Sequence, residues 1–95
     1  MFEIQFGEEG RIQLVGRFDA AQEENARRSL ETIQKSCVLD FSELEYISSA
    51  GLGLLLMVQQ RLNAAGHSLT LVHLSDHMKD VFRYAGFHSV FRIEQ

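Results

Sequence analysis

Tyr46-Ile47-Ser48-Ser49-Ala50-Gly51-Leu52-Gly53-Leu54-Leu55-Leu56-Met57 puts two hydroxyls where an extended apolar segment turns into a covered helix. Upstream, residues 37–41 form a short apolar and β-branched run, the pattern of an interior strand. Downstream, Leu52, Leu54, Leu55, Leu56, Met57, Val58 and Leu62 are too densely apolar for a helix with a wide wet face, so most of that helix is expected to be covered. Ser48 or Ser49 then stands at the N-cap or in the first turn, where a side-chain oxygen accepts an otherwise orphaned backbone N–H. A capping serine is useful in any protein, whereas a modifiable one at this junction makes a switch. Gly51 and Gly53 lack the third glycine and the following lysine of a phosphate-binding loop, and are expected to permit close packing against a sheet.

Working outward, residues 2–6 and 11–15 alternate apolar and polar with period two, separated by turn residues from Gly7 to Gly10, which predicts a hairpin. Asp19 is placed to cap a helix over residues 20–35, whose acids come early and whose Arg28 and Lys35 come late, as the helix dipole favours. A third strand over 37–41, a helix over 50–65 stopped by Gly66, and a strand over 68–74 follow. A helix over 75–85, apolar at Met78, Val81, Phe82 and Ala85 and closed by Gly86, precedes a last strand over 90–93. The order ββαβαβαβ predicts an α/β sandwich with a mixed, partly parallel sheet and right-handed crossovers. Residues 1–95 contain no proline, repeat or linker and read as one domain.

In such sheets, regulatory positions gather at the carboxyl ends of strands. Asp19 and the Ser48-Ser49 pair both fall at strand-to-helix junctions, so they are expected to share one edge and form a docking face.

Thirteen acidic against nine basic side chains give a net charge of −4, and the longest basic cluster is Arg27-Arg28. Nucleic acid and anionic membrane surfaces, which need concentrated positive charge, are therefore not expected partners. No apolar run approaches the ~20 residues of a membrane helix, and the N-terminus lacks the basic and apolar regions of a signal peptide. Cytoplasm is the expected compartment. Cys37 has no cysteine to pair with and is expected to pack as a small hydrophobe.

An enzyme finds little support. His73 and His77 are four residues apart, but one lies on a predicted strand and the other on a predicted helix. They are thus no helical ligand pair, and His67 and His88 add no coordination set, so neither a metal nor another cofactor is expected. Nucleophilic catalysis by Ser49 requires a nearby base, and none is identifiable. Phe82, Tyr84 and Phe87 read as core or core-edge aromatics, and the Glu8-Glu9 and Glu23-Glu24 pairs as solvated faces.

Gly16-Arg-Phe-Asp19, the run from Val38 through Asp40-Phe-Ser-Glu-Leu-Glu-Tyr-Ile-Ser-Ser-Ala-Gly-Leu-Gly53, and the later Leu69-Thr-Leu-Val and Val81-Phe-Arg-Tyr-Ala-Gly-Phe resemble the anti-sigma factor antagonist branch of the STAS family. The likeness spans essentially the whole chain. It implies a STAS-like fold and a binding module that, unphosphorylated, captures an anti-sigma factor or related serine protein kinase and is released on phosphorylation. Ser49 matches the family's phosphorylated serine, Ala50 a position open to Ser, Thr or Ala, and Gly51 the glycine opening the helix. Asp19 is implied in kinase docking beside Ser48, Ser49, Ala50 and Gly51, and an opposing phosphatase is a further partner the resemblance admits. Ser48 departs from the pattern, which commonly has Asp there. The same resemblance admits a constitutive subunit of a lipid-transport or stress-signalling assembly, in which Ser49 only caps the helix.

Overall fold

The computed structural model describes residues 1–94. Five strands form one sheet in the spatial order of the chain: β1 (Phe2–Phe6), β2 (Arg11–Phe18), β3 (Cys37–Ile47), β4 (Leu69–Val72) and β5 (Arg92–Glu94). β1 pairs antiparallel with β2, and every later neighbour is parallel. Three helices connect the parallel strands: α1 (Glu23–Leu30), α2 (Ser49–Ala64) and α3 (Asp76–Tyr84). Right-handed crossovers that always advance in the same direction across a sheet put every helix on one face. The result is the expected α/β sandwich of two layers with a mixed sheet.

The burial pattern follows from that one-sidedness. Ile12, Leu14 and Phe18 of β2, Leu39 and Phe41 of β3, and Leu69 and Leu71 of β4 alternate onto the helical side and are buried. Leu55 and Phe82 meet them from α2 and α3 with no exposed surface. Phe82 lies edge-on to Phe41 and Phe91, with ring centres 5.8 and 5.4 Å away. Tyr84, read from sequence with the core aromatics, is instead 89% exposed. It falls two residues after Phe82, on the opposite side of α3. The sheet's other face carries Gln13, Arg17, Asp40, Thr70 and Arg92, and among the described residues no helix covers it. Cys37 is buried as expected, and burial pushes its thiol up to about 11.

β4 is shorter than the 68–74 expected and β5 begins at Arg92, two residues later than expected, and two further elements differ more from the sequence reading. The helix expected over 20–35 is a 3-10 turn (Ala20–Gln22) followed by the short α1, with residues 31–36 irregular. The reason lies in α2: the Arg61 guanidinium donates to the carbonyls of Leu30 and Ile33 at 3.0 and 2.6 Å, supplying the partners the helix would otherwise find by continuing. Conversely, β3 runs on to Ile47 instead of stopping at Phe41. Its register with β2 slips between Gln13 and Val15 and again between Gly16 and Arg17, so two extra residues are absorbed as bulges. Gly16 is where this geometry needs glycine. Its φ is +96°, and a Cβ would stand 2.1 Å from the Met1 carbonyl oxygen.

Candidate functional site

β4 stops at Val72, which pairs with Asp40, while β3 continues beside β2 as far as Ile47 opposite Phe18. At about 3.3 Å per residue along the five residue steps of β2 from Gln13 to Phe18, that continuation carries the end of β3 about 17 Å past the end of β4. The two sequence-predicted junctions sit together at this far end. Ser48 donates its backbone N–H to the Phe18 carbonyl at 2.9 Å, which binds the exit of β3 to the exit of β2 one residue before Asp19. Asp19 and Ser48 are therefore side by side, as expected.

Each junction is closed by its own cap. The Asp19 carboxylate accepts from Ala21 N–H at 3.1 Å and starts the 3-10 turn, not an α-helix as expected from sequence. Ser48, with extended backbone, accepts from Gly51 N–H at 3.1 Å through its hydroxyl and starts α2. Ser49 is the first helical residue and is exposed, and among the described residues no protein group bonds its hydroxyl. This divides the labour between the two hydroxyls: Ser48 serves the fold, and Ser49 is not the cap that the constitutive-subunit reading made it. Ala50 is half-buried and Gly51 buried.

The two glycines also part company. A Cβ on Gly51 would stand 2.9 Å from Ile47 Cγ1 and 3.2 Å from the Phe18 ring, so its closeness to the sheet is required. A Cβ on Gly53 would meet nothing within 4 Å. The expectation of close packing holds for Gly51 and is corrected for Gly53, which sits a full turn beyond Ser49 on the outer side of α2. Farther along that side, Met57 is 59% exposed.

Electrostatically the site is receptive to an anion. No acidic residue stands in the first turn of α2, whose positive dipole end is capped by the neutral Ser48 hydroxyl, with the Asp19 carboxylate as the nearest acid on the neighbouring junction. On the sheet face behind, the Arg17 guanidinium lies 4.5 Å from the centre of the Tyr46 ring. His73 and His77 are not part of this site. They follow β4 and so lie near the level of Asp40, well short of Ser49. Among the described residues no three His, Cys, Asp or Glu side chains gather as metal ligands.

Asp40 was missed as a distinct feature by sequence reasoning, although a carboxylate inside the apolar run Val38-Leu-Asp-Phe41 is its signal. It is buried on the open sheet face, accepts from Ser42 N–H at 2.9 Å and pairs with Arg11 at 3.3 Å. Burial pushes its carboxyl up, but the Ser42 N–H and hydroxyl, the field of His73 and the Arg11 guanidinium outweigh that and hold it below its ordinary value. Arg11 and Asp40 border a shallow cleft of about 500 Å³ under the β1–β2 turn.

Comparison with known proteins identifies the family and the fold. BtrV of Bordetella bronchiseptica, to which the role of anti-sigma factor antagonist is assigned by inference, is 40% identical over 60 residues, covering 63% of this chain. The match spans 52% of BtrV, about half its length. A STAS-domain containing protein of Pseudomonas aeruginosa is 26% identical over 92% of this chain and 89% of its own. The fold is that of the anti-sigma factor antagonist SpoIIAA. Its unphosphorylated form superimposes with a TM-score of 0.74 at 20% identity, over 100% of this chain and 88% of that one. The phosphorylated form of the Bacillus protein gives 0.71 at 20% identity, over 100% and 92%. The family model described as "Mlab, STAS domain" matches residues 3–93, and the chain belongs to the STAS domain family.

Proposed function

We propose that this chain is a cytoplasmic anti-sigma factor antagonist, a binding module and not an enzyme. In its unphosphorylated state it holds an anti-sigma factor that is also a serine kinase, and phosphorylation of Ser49 releases it. The observation that carries this reading is the exposed, unbonded hydroxyl of Ser49 at the first position of α2, beside a different serine that does the capping. A phosphate on Ser49 adds about −1.5 to −2 charge at pH 7. At a helix N-terminus that charge is tolerated by the free N–H groups and the dipole, so the fold survives. A partner surface shaped around a neutral hydroxyl does not tolerate it, because the phosphate brings bulk, desolvation and repulsion from facing carboxylates. A hundredfold loss of affinity needs only about 2.7 kcal/mol. Asp19, fixed next to Ser48 through the Phe18 carbonyl, contributes to the same docking face. A phosphatase that removes the phosphate completes the cycle.

Incubation with the cognate kinase and ATP, followed by site mapping and a binding titration before and after, tests the reading. Phosphate on Ser49 with a large loss of affinity is the expected result. Modification elsewhere, or unchanged affinity after modification of Ser49, overturns it.

A further inference from the structure

β1 is an edge strand, and its backbone chemistry has a direction. The Met1 carbonyl accepts from Arg17 N–H at 2.9 Å, and Gly7 N–H donates to the Arg11 carbonyl at 2.8 Å. Odd-numbered residues thus face β2. The alternation of an antiparallel ladder then turns the N–H and C=O groups of Phe2, Ile4 and Phe6 outward. Among the described residues no other element takes those groups up. Three of the usual protections of an edge, a bulge, a lysine and a proline, are also missing. The register with β2 is unbroken from Phe2↔Gly16 to Phe6↔Ile12, so no bulge bends β1 away, and it contains no lysine or proline.

We infer that β1 is a self-association strand: two copies of this chain pair antiparallel, edge to edge, about a two-fold axis through Ile4. Phe2-Glu-Ile-Gln-Phe6 has the same residue character from either end, and this makes it self-complementary. Centred on Ile4, Phe2 opposes the partner's Phe6 and Ile4 opposes the partner's Ile4, so every outward N–H and C=O of the strand is matched. Glu3 opposes the partner's Gln5, a carboxylate against an amide donor, on both sides of the axis. Sliding the strands by two residues leaves outward groups unmatched in either direction, and in one direction sets Glu3 against the partner's Glu3. The favoured register is therefore unique. Directly opposed side chains share a face, so Phe6, 55% exposed in the single chain, gains an apolar neighbour beside the core layer. Each copy offers one β1, and the association closes at two. With only a short strand from each side, the interface is at the weak end of specific contacts. The inference is independent of the switch at Ser49.

Sedimentation equilibrium of the full chain up to millimolar concentration tests it, alongside amide exchange and three variants. The wild type is expected to show a monomer–dimer equilibrium, with the amides of Phe2, Ile4 and Phe6 gaining protection as concentration rises and those of Glu3 and Gln5 protected throughout. Gln5→Glu sets like charges against Glu3 twice per dimer and weakens association about tenfold, whereas Gln5→Lys strengthens it several-fold. Phe6→Pro removes an outward N–H together with the phenyl ring at the interface, keeps the β1–β2 ladder and is expected to be monomeric. Circular dichroism confirms that each variant is folded. A wild type that stays monomeric at every concentration overturns the inference. So does an equal response to Gln5→Glu and Gln5→Lys, or a dimer that survives Phe6→Pro.

Discussion

Gly51 lies so close to Phe18 that an ideal Cβ would come within 3.2 Å of the ring, and within 2.9 Å of Ile47 on the other side. Phe18 has no exposed surface and Ile47 is 6% exposed, so neither has room to retreat. Gly51→Ala should therefore destabilise the protein by about 1–3 kcal/mol despite alanine's better helix propensity. Urea denaturation with an unchanged slope and a lowered midpoint is the check.

Gly53→Ala should do the reverse. With open space around the added methyl, only helix propensity acts, and the free protein should gain about 0.5–1 kcal/mol. The same melts measure it. A loss of stability would mean that the outer side of α2 is not open in solution.

Ser48 and Ser49 should separate cleanly. Ser48→Ala removes the acceptor for Gly51 N–H and should cost about 1 kcal/mol, whereas Ser49→Ala should change stability by less than about 0.5 kcal/mol. Ser48→Asp retains an equally good cap and supplies a carboxylate directly before Ser49. It should leave the melting temperature nearly unchanged while raising the rate at which a kinase modifies Ser49, read by phosphate incorporation. Ser49→Ala should abolish that incorporation and keep the partner bound in the presence of ATP.

Asp40 should give stability an acid limb. Its carboxyl is held lower in the folded chain than in the unfolded one, so the unfolded state binds its proton first as pH falls. The stabilisation is complete above the unfolded value of about 3.9 and is lost as pH drops through the lower folded value. Asp40→Asn should flatten the decline in stability below about pH 4, with little effect on the steepness at neutral pH, as followed by thermal melts across that range.

The sequence carried the layer order well because it is written in periodicity. β2 alternates cleanly, and α2 is dense in leucine where it is covered. Features determined by distant partners were not legible. α1 ends where it does because Arg61, some thirty residues away in sequence, reaches back to its carbonyls. The second half of β3 is held by its ladder with β2, while Ser42, Glu43, Glu45 and Tyr46 are exposed and give no apolar rhythm to read. At the site, sequence brought Asp19 and the serines to one edge but left the cap undecided between neighbouring hydroxyls. The choice depends on which serine keeps extended backbone, and that is set by the bond from Ser48 to Phe18. Asp40 was hidden for a related reason, since its neighbours come from β2, β4's end and its own strand.

That single bond from Ser48 to Phe18 also governs how the region around Ser49 can be imitated. A synthetic peptide copying residues 46–57 would contain the serine and its glycines, yet it would lack the β2 carbonyl that holds the corner open. Free in water, twelve such residues make at best a marginal helix. A reagent raised against the peptide, or a kinase assayed on it, would meet a different shape from the one this protein displays. A faithful mimic has to carry Phe18 and Asp19 on a second, tethered strand.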